Sequence, residues 1–159
     1  MRVLKQVSFD EVLSCYKCEN FRSKSFEYAA GVLGTANKQV AGKWVLVGLS
    51  REEILNIMLP DHNEPREKVI IPKPGLVVSV AAERIKGVTG EIGPCWENIL
   101  SHKNRDFSRT HIFLRSENGI LSHLDGLHRL LAWVIFEKKE DVPAYVAGAT
   151  PQEKHEESR

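Results

Sequence analysis

Residues 110–135 read as a β-hairpin that runs straight into an amphipathic helix, and this unit leaves few folds open. The segments THIFLRS and ILSHL flank Glu117-Asn118-Gly119, where Asn-Gly supplies the positive φ values of a tight hairpin turn. Leu127, Leu130, Leu131, Val134 and Ile135 then recur at i, i+3, i+4, i+7 and i+8, so one helix face is continuously apolar. Such a face has to be buried against another element of the fold.

The remaining chain is read as short strands and helices in irregular alternation. VLKQVS is expected to be a first strand, and Ser8 with Glu11 forms a capping box for a helix through FDEVLSCYKC. Glu19 to Val40 carries no decisive pattern. KWVLVGL reads as a strand, and Ser50 with Glu53 caps a helix, REEILNIML, that ends before Pro60. PDHNEPREK is a polar connector, GLVVSVAAERI after Pro74 reads as a strand, and the glycine-punctuated loop KGVTGEIGP precedes a short helix around CWENILSHK. DVPAYVAG returns as a strand. This pattern predicts an α+β fold: one small mixed sheet with flanking helices in a single domain over residues 1–148, followed by a polar tail at 149–159. A chain of 159 residues can bury a core without disulfides or a structural metal.

Charge composition excludes some partners. Lys+Arg 22 against Asp+Glu 21 leaves a net charge of +1, which offers no global attraction for nucleic acid or an anionic membrane. No signal-peptide pattern is present and no apolar run approaches the roughly 20 residues of a membrane span, so the expected location is cytoplasmic. Cys15, Cys18 and Cys95 are too sparse for a disulfide framework and are expected to be free thiols.

The junction between hairpin and helix, LDGLHR, carries the chemistry. A helix N-terminus presents backbone N–H groups and a partial positive charge, and a glycine there allows an anion close approach. Gly126, His128 and Arg129 therefore form a candidate phosphate site. Asp125 would repel phosphate unless it binds a Mg²⁺ ion or takes a proton from an attacking hydroxyl. Equally, it is the residue type expected of a helix N-cap, with the two basic residues facing water.

The run LDGLHRLLAW, with a hairpin before it and VPAYV after it, resembles the signature of the ParB/sulfiredoxin superfamily over about residues 107–148. That superfamily carries a Gly-x-His-Arg or Gly-x-Arg-Arg box followed two residues later by Ala; here the box is Gly126, His128, Arg129 and Ala132. The resemblance implies nucleotide phosphates held by Gly126, His128 and Arg129. Leu127 stands where sulfiredoxins place their cysteine nucleophile, and the chain after the box is too short for the DNA-binding and dimerisation regions of partition proteins. The Asp-Gly-x-His-Arg form is similar to the free-serine kinases of the superfamily, which implies a role for Asp125 in phosphoryl transfer and an upstream glutamate that activates the substrate hydroxyl. Glu83, after a predicted strand, and Glu91, in the glycine-punctuated loop, are the candidates. The expectation is an enzyme that uses ATP or ADP with Mg²⁺ to transfer a phosphoryl group to or from a small hydroxylated metabolite such as a hydroxy amino acid. The alternative is a noncatalytic nucleotide- or DNA-binding regulator of ParB type.

Other constellations are thinner. Cys15-x-x-Cys18 has the spacing of half a zinc site or a redox pair, but no second pair follows to complete four ligands. His123-x-Asp125 lacks the third ligand of a facial triad. HKNRDFSRTH gathers His102, Lys103, Arg105, Arg109 and His111 just before the hairpin. It reads as a hydrated loop or as a basic flap that supplies donors to phosphate.

Overall fold

In the computed structural model, residues 1–20, 26–63 and 69–150 are described. They form strands β1 (Arg2–Val7), β2 (Trp44–Leu49), β3 (Met58–Leu59), β4 (His62–Asn63), β5 (Val69–Ile71), β6 (Leu76–Val77), β7 (Ile112–Glu117), β8 (Ile120–Asp125) and β9 (Val142–Ala147). The helices are α1 (Phe9–Asn20), α2 (Phe26–Gln39), α3 (Arg51–Leu55), α4 (Val78–Lys86), α5 (Gly93–Ser101) and α6 (Leu127–Ile135). The main sheet has the order β1-β2-β9-β7-β8-β3-β6, and β4 and β5 form a separate two-stranded sheet. Pairing is antiparallel except between β7 and β9 and between β3 and β8. The sheet is thus mixed, as an α+β chain with irregular connections requires. The polar tail expected at 149–159 lies, from residue 151 onward, outside the described residues.

Helices cover both faces of the sheet, and the side-chain period of two decides what each face receives. Val45, Val47, Ile112, Leu114, Ala144 and Val146 point into one core with α4, α5 and α6. Their neighbours Trp44, Phe113, Tyr145 and Ala147 point into the other with Val12 and Tyr16 of α1 and Leu33 of α2. The apolar face of α6 is buried as the hairpin–helix pattern demands: Leu130, Leu131 and Ala132 are fully enclosed.

Two expected elements change identity. GLVVSVAAERI contributes only Leu76–Val77 to the sheet and then becomes α4, because Val78, Ala81, Ala82 and Ile85 lie at i, i+3, i+4 and i+7 and bury one face against α6. The helix opened by Ser50 ends at Leu55 instead of running to Pro60. Its capping box is complete, with Glu53 N–H donating to Ser50 Oγ and Ser50 N–H donating to Glu53 Oε2. Beyond Asn56, however, Ile57 and Leu59 are buried while Met58 is exposed, and this alternation suits a strand. The resulting β3 pairs with β8 and β6. The segment without decisive pattern contains α2, whose Ala29, Leu33 and Ala36 face the sheet.

Two details open the site. β3 runs parallel to β8, with Met58 opposite Ser122, so both strands end at the same edge, and Pro60 takes the chain out of the sheet there. In β8 the register slips by one residue, Phe113 facing Asp125 while Leu114 faces His123, which leaves Leu124 as a bulge. Because of the bulge, His123, Leu124 and Asp125 line the same cleft, which a regular strand would forbid.

Candidate functional site

A cleft of about 660 Å³ lies where β8 passes into α6. Its walls include Glu19 from the end of α1, Asp61 and His62 after β3, Asn98 of α5, and His102 and Arg105 in the turn that follows it. The floor is His123 to Arg129. The ligands of α/β proteins commonly sit beyond the carboxyl ends of parallel strands, and this cleft occupies the corresponding place beside β3 and β8.

Gly126 makes the junction possible. It has φ +111°, a region that side-chain-bearing residues rarely adopt, and a Cβ there would lie 2.8 Å from Ile112 Cδ1 and 3.4 Å from Arg129 Nε. Gly126, not Asp125, is the N-cap of α6, and the helix therefore begins with no side-chain cap.

Arg129 is the centre of a buried charge network. Only 7 % exposed, its guanidinium donates to Asp125 Oδ2 at 2.5 Å, to the His111 carbonyl at 2.8 Å and to Glu19 Oε2 at 3.4 Å. Glu19 also accepts from the His111 backbone N–H at 3.3 Å and lies 2.7 Å from His111 Nδ1. The planar fork of arginine is what allows one cation to hold two carboxylates and a carbonyl together. Burial acts to raise the Glu19 carboxyl, but the His111 contacts and Arg129 outweigh it and leave Glu19 below the usual range. Asp125 goes the other way: burial lifts its carboxyl above the usual range despite Arg129.

Three histidines of the cleft, His102, His123 and His128, are held neutral. Burial, reinforced by Arg105, Arg129 and the neighbouring imidazoles, lowers His102 and His128 to about 4 and His123 to about 3. His128 therefore does not add a cation to the helix start. A ring nitrogen of each of the three is buried without a hydrogen-bond partner among the described residues: His102 Nδ1, His123 Nε2 and His128 Nε2.

These shifts have a consequence for stability. A histidine lowered on folding is protonated first in the unfolded chain, so folding stability is full above the unfolded value of about 6.5 and declines as pH falls from there towards about 4. Denaturant midpoints measured between about pH 7 and pH 4.5 should fall steadily, and His123→Asn should flatten the slope. A parent midpoint independent of pH across that interval would contradict the buried neutral imidazoles.

Of the residues proposed from sequence, Asp125, Gly126, His128 and Arg129 meet at the cleft. Glu83 and Glu91 do not line it: both are exposed, and Glu83 pairs with Lys86 on the outer side of α4. The glutamate that reaches the site is Glu19, which carried no local signal. The basic stretch divides: His102 and Arg105 face the cleft, His111 sits behind Arg129, Arg109 pairs with Asp106, and Lys103 lies over Phe136. Cys18 is exposed and Cys15 is half-buried, its thiol pushed up to about 12 by burial and by Glu19. Cys15 thus stays protonated and hydrogen-bonded beside Glu19 and His111. Among the described residues, Asp125 belongs to no group of three potential metal ligands; the groups present are His62, Cys95 and His128, and Cys15, Glu19 and His111.

Fold and cleft together define a mixed-sheet α+β protein with a buried arginine–carboxylate network beneath a histidine-lined cleft. The chain belongs to the Family of unknown function (DUF6309), whose family model matches residues 1–159. Neither a curated protein nor a solved structure matches it. No helix among the described residues is long and apolar enough to cross a membrane.

Proposed function

We propose that the cleft holds the phosphates of a nucleotide, ATP or ADP, and transfers a phosphoryl group to or from a small hydroxylated metabolite such as a hydroxy amino acid. The observation that carries this reading is the start of α6, which opens on the cleft behind a glycine and has no side-chain cap. Its first N–H groups, from Leu127 to Arg129, are suited to phosphate oxygens, and Arg105 adds a cation on the cleft wall. The resemblance of the Gly126-x-His128-Arg129 box to the ParB/sulfiredoxin superfamily supports the same reading. A volume of about 660 Å³ is ample for a nucleotide.

Asp125 is the proton acceptor. Arg129 holds one of its oxygens and so fixes the carboxylate, and burial raises its basicity, which improves a general base. In the forward direction the substrate hydroxyl attacks the terminal phosphorus, its proton passes to Asp125, and the bond to the ADP oxygen breaks. Mg²⁺ would enter on the nucleotide phosphates and neutralise charge there, with Asp61 as a further carboxylate of the same cleft.

Calorimetric titration with ATP, ADP and CTP tests the binding step. Arg105→Ala should weaken nucleotide affinity by about tenfold or more, since a charge-assisted hydrogen bond contributes roughly 1.5–3 kcal/mol. Arg105 is exposed, so the variant should fold as the parent does. Equal affinities in parent and variant would remove Arg105 from the site, and no heat with any nucleotide would end the nucleotide reading. Binding without turnover over a panel of hydroxy acids would favour the regulator.

A further inference from the structure

We infer that His62, Cys95 and His128 form a binding site for a single transition-metal ion of zinc type, independent of whether the cleft takes a nucleotide. One ligand atom from each of the three lies within 4.8 Å of the others. The ligand atoms of a tetrahedral His₂Cys zinc site stand about 3.3–3.6 Å apart, given Zn–N near 2.0–2.1 Å and Zn–S near 2.3 Å. Closing that gap brings the ligand atoms together by about an ångström.

The surroundings suit a metal. The Nε2 of His128 is buried without a hydrogen-bond partner among the described residues, a condition that costs stability unless something else satisfies the nitrogen. Its ring meets that of His62 edge to face at 5.4 Å, so the two imidazoles already converge. Cys95 is 2 % exposed in α5, and a buried thiol beside two imidazoles is a soft ligand set that selects zinc over magnesium or calcium. On ligation Cys95 gives its thiol proton to solvent and binds as thiolate.

Position separates this site from an internal structural one. His62 and His128 line the cleft, whereas Cys95 lies behind them in the core. The ion is thus held on three sides by protein, and its fourth ligand, a water or a substrate oxygen, comes from the cleft. Three protein ligands and one exchangeable position is the arrangement of catalytic zinc sites. The other cluster, Cys15, Glu19 and His111, lies outside the cleft floor and is held by contacts among its own groups: Glu19 lies 2.7 Å from His111 Nδ1, and Cys15 Sγ lies 3.3 Å from it. His128 serves both readings without conflict, through its side chain here and through its backbone N–H at the start of α6.

The test uses the full chain stripped with chelator and titrated with Co²⁺ as a spectroscopic substitute for Zn²⁺. The parent should take up one equivalent, with a thiolate-to-cobalt charge-transfer band and visible bands of tetrahedral intensity. Cys95→Ser should abolish the charge-transfer band, while Cys15→Ser and Cys18→Ser keep it. His62→Gln should weaken Zn²⁺ binding, measured by competition with an indicator, beyond the roughly 100-fold upper range that loss of an outer-shell partner causes. His62 is half-buried, so this variant remains informative if Cys95→Ser does not fold. Absence of the band in the parent, its survival in folded Cys95→Ser, its loss in Cys15→Ser, or unchanged Zn²⁺ affinity in His62→Gln would overturn the site.

Discussion

Arg129→Ala should lose roughly 3–5 kcal/mol of folding stability, enough to lower the melting temperature of a chain this size by about 6–20 °C. The substitution removes the cation that, among the described residues, bonds both Asp125 and Glu19, and leaves the His111 carbonyl without its donor. Two partly buried carboxylates would then face each other across the vacated space, and an uncompensated buried charge costs far more than the intact pair contributes. Lysine should recover only part of the loss, because a single ammonium cannot replace the fork that reaches three acceptors. Thermal and denaturant melts of the two variants decide the matter. A loss below about 1 kcal/mol for Arg129→Ala would mean that water already solvates the carboxylates and that the network does not organise the site.

Asp125→Asn should reduce phosphoryl transfer by about 10²–10⁴-fold, the range that a positioned general base supplies. Asparagine keeps the shape and can still accept from Arg129 through its amide oxygen, so a modest loss of stability is expected while the proton acceptor disappears. Nucleotide affinity should stay level or rise, since a negative charge near the phosphates is removed. A protein that is folded by circular dichroism, binds ATP and turns over at the parent rate would exclude Asp125 as base. The capping role that the sequence also allows is taken by Gly126, so a capping effect does not confound the comparison.

These two expectations show how a residue can be placed well and understood incompletely from sequence. Arg129 reads as a phosphate ligand because it stands in the first turn of a helix after a glycine. In the fold its side chain is enclosed and turned towards Asp125, Glu19 and His111, so it acts on the cleft by fixing Asp125. His128 reads as a second cation, and burial makes it neutral. Local sequence offers Glu83 and Glu91 as the upstream glutamate, whereas the glutamate at the site is Glu19, which forms part of a helix end with no motif around it.

The hairpin turn at Asn118-Gly119, the strand of DVPAYVAG, the capped start of α3 and the apolar face of α6 were all legible, because each depends on residues a few positions apart. Local pattern failed where two periods compete over a short apolar run: VVSVAA suits a strand until packing against α6 makes its helical face the buried one, and Met58–Leu59 becomes a strand because β8 offers it a partner. The site is a further step removed. Glu19, His62, Cys95 and His111 come from separate elements and meet Asp125, His128 and Arg129 only after the sheet has formed and the bulge at Leu124 has turned β8 towards the cleft. Distances between such groups follow from long-range packing, which no short window of sequence contains, and the same packing sets the desolvation that leaves His102, His123 and His128 neutral and Asp125 basic.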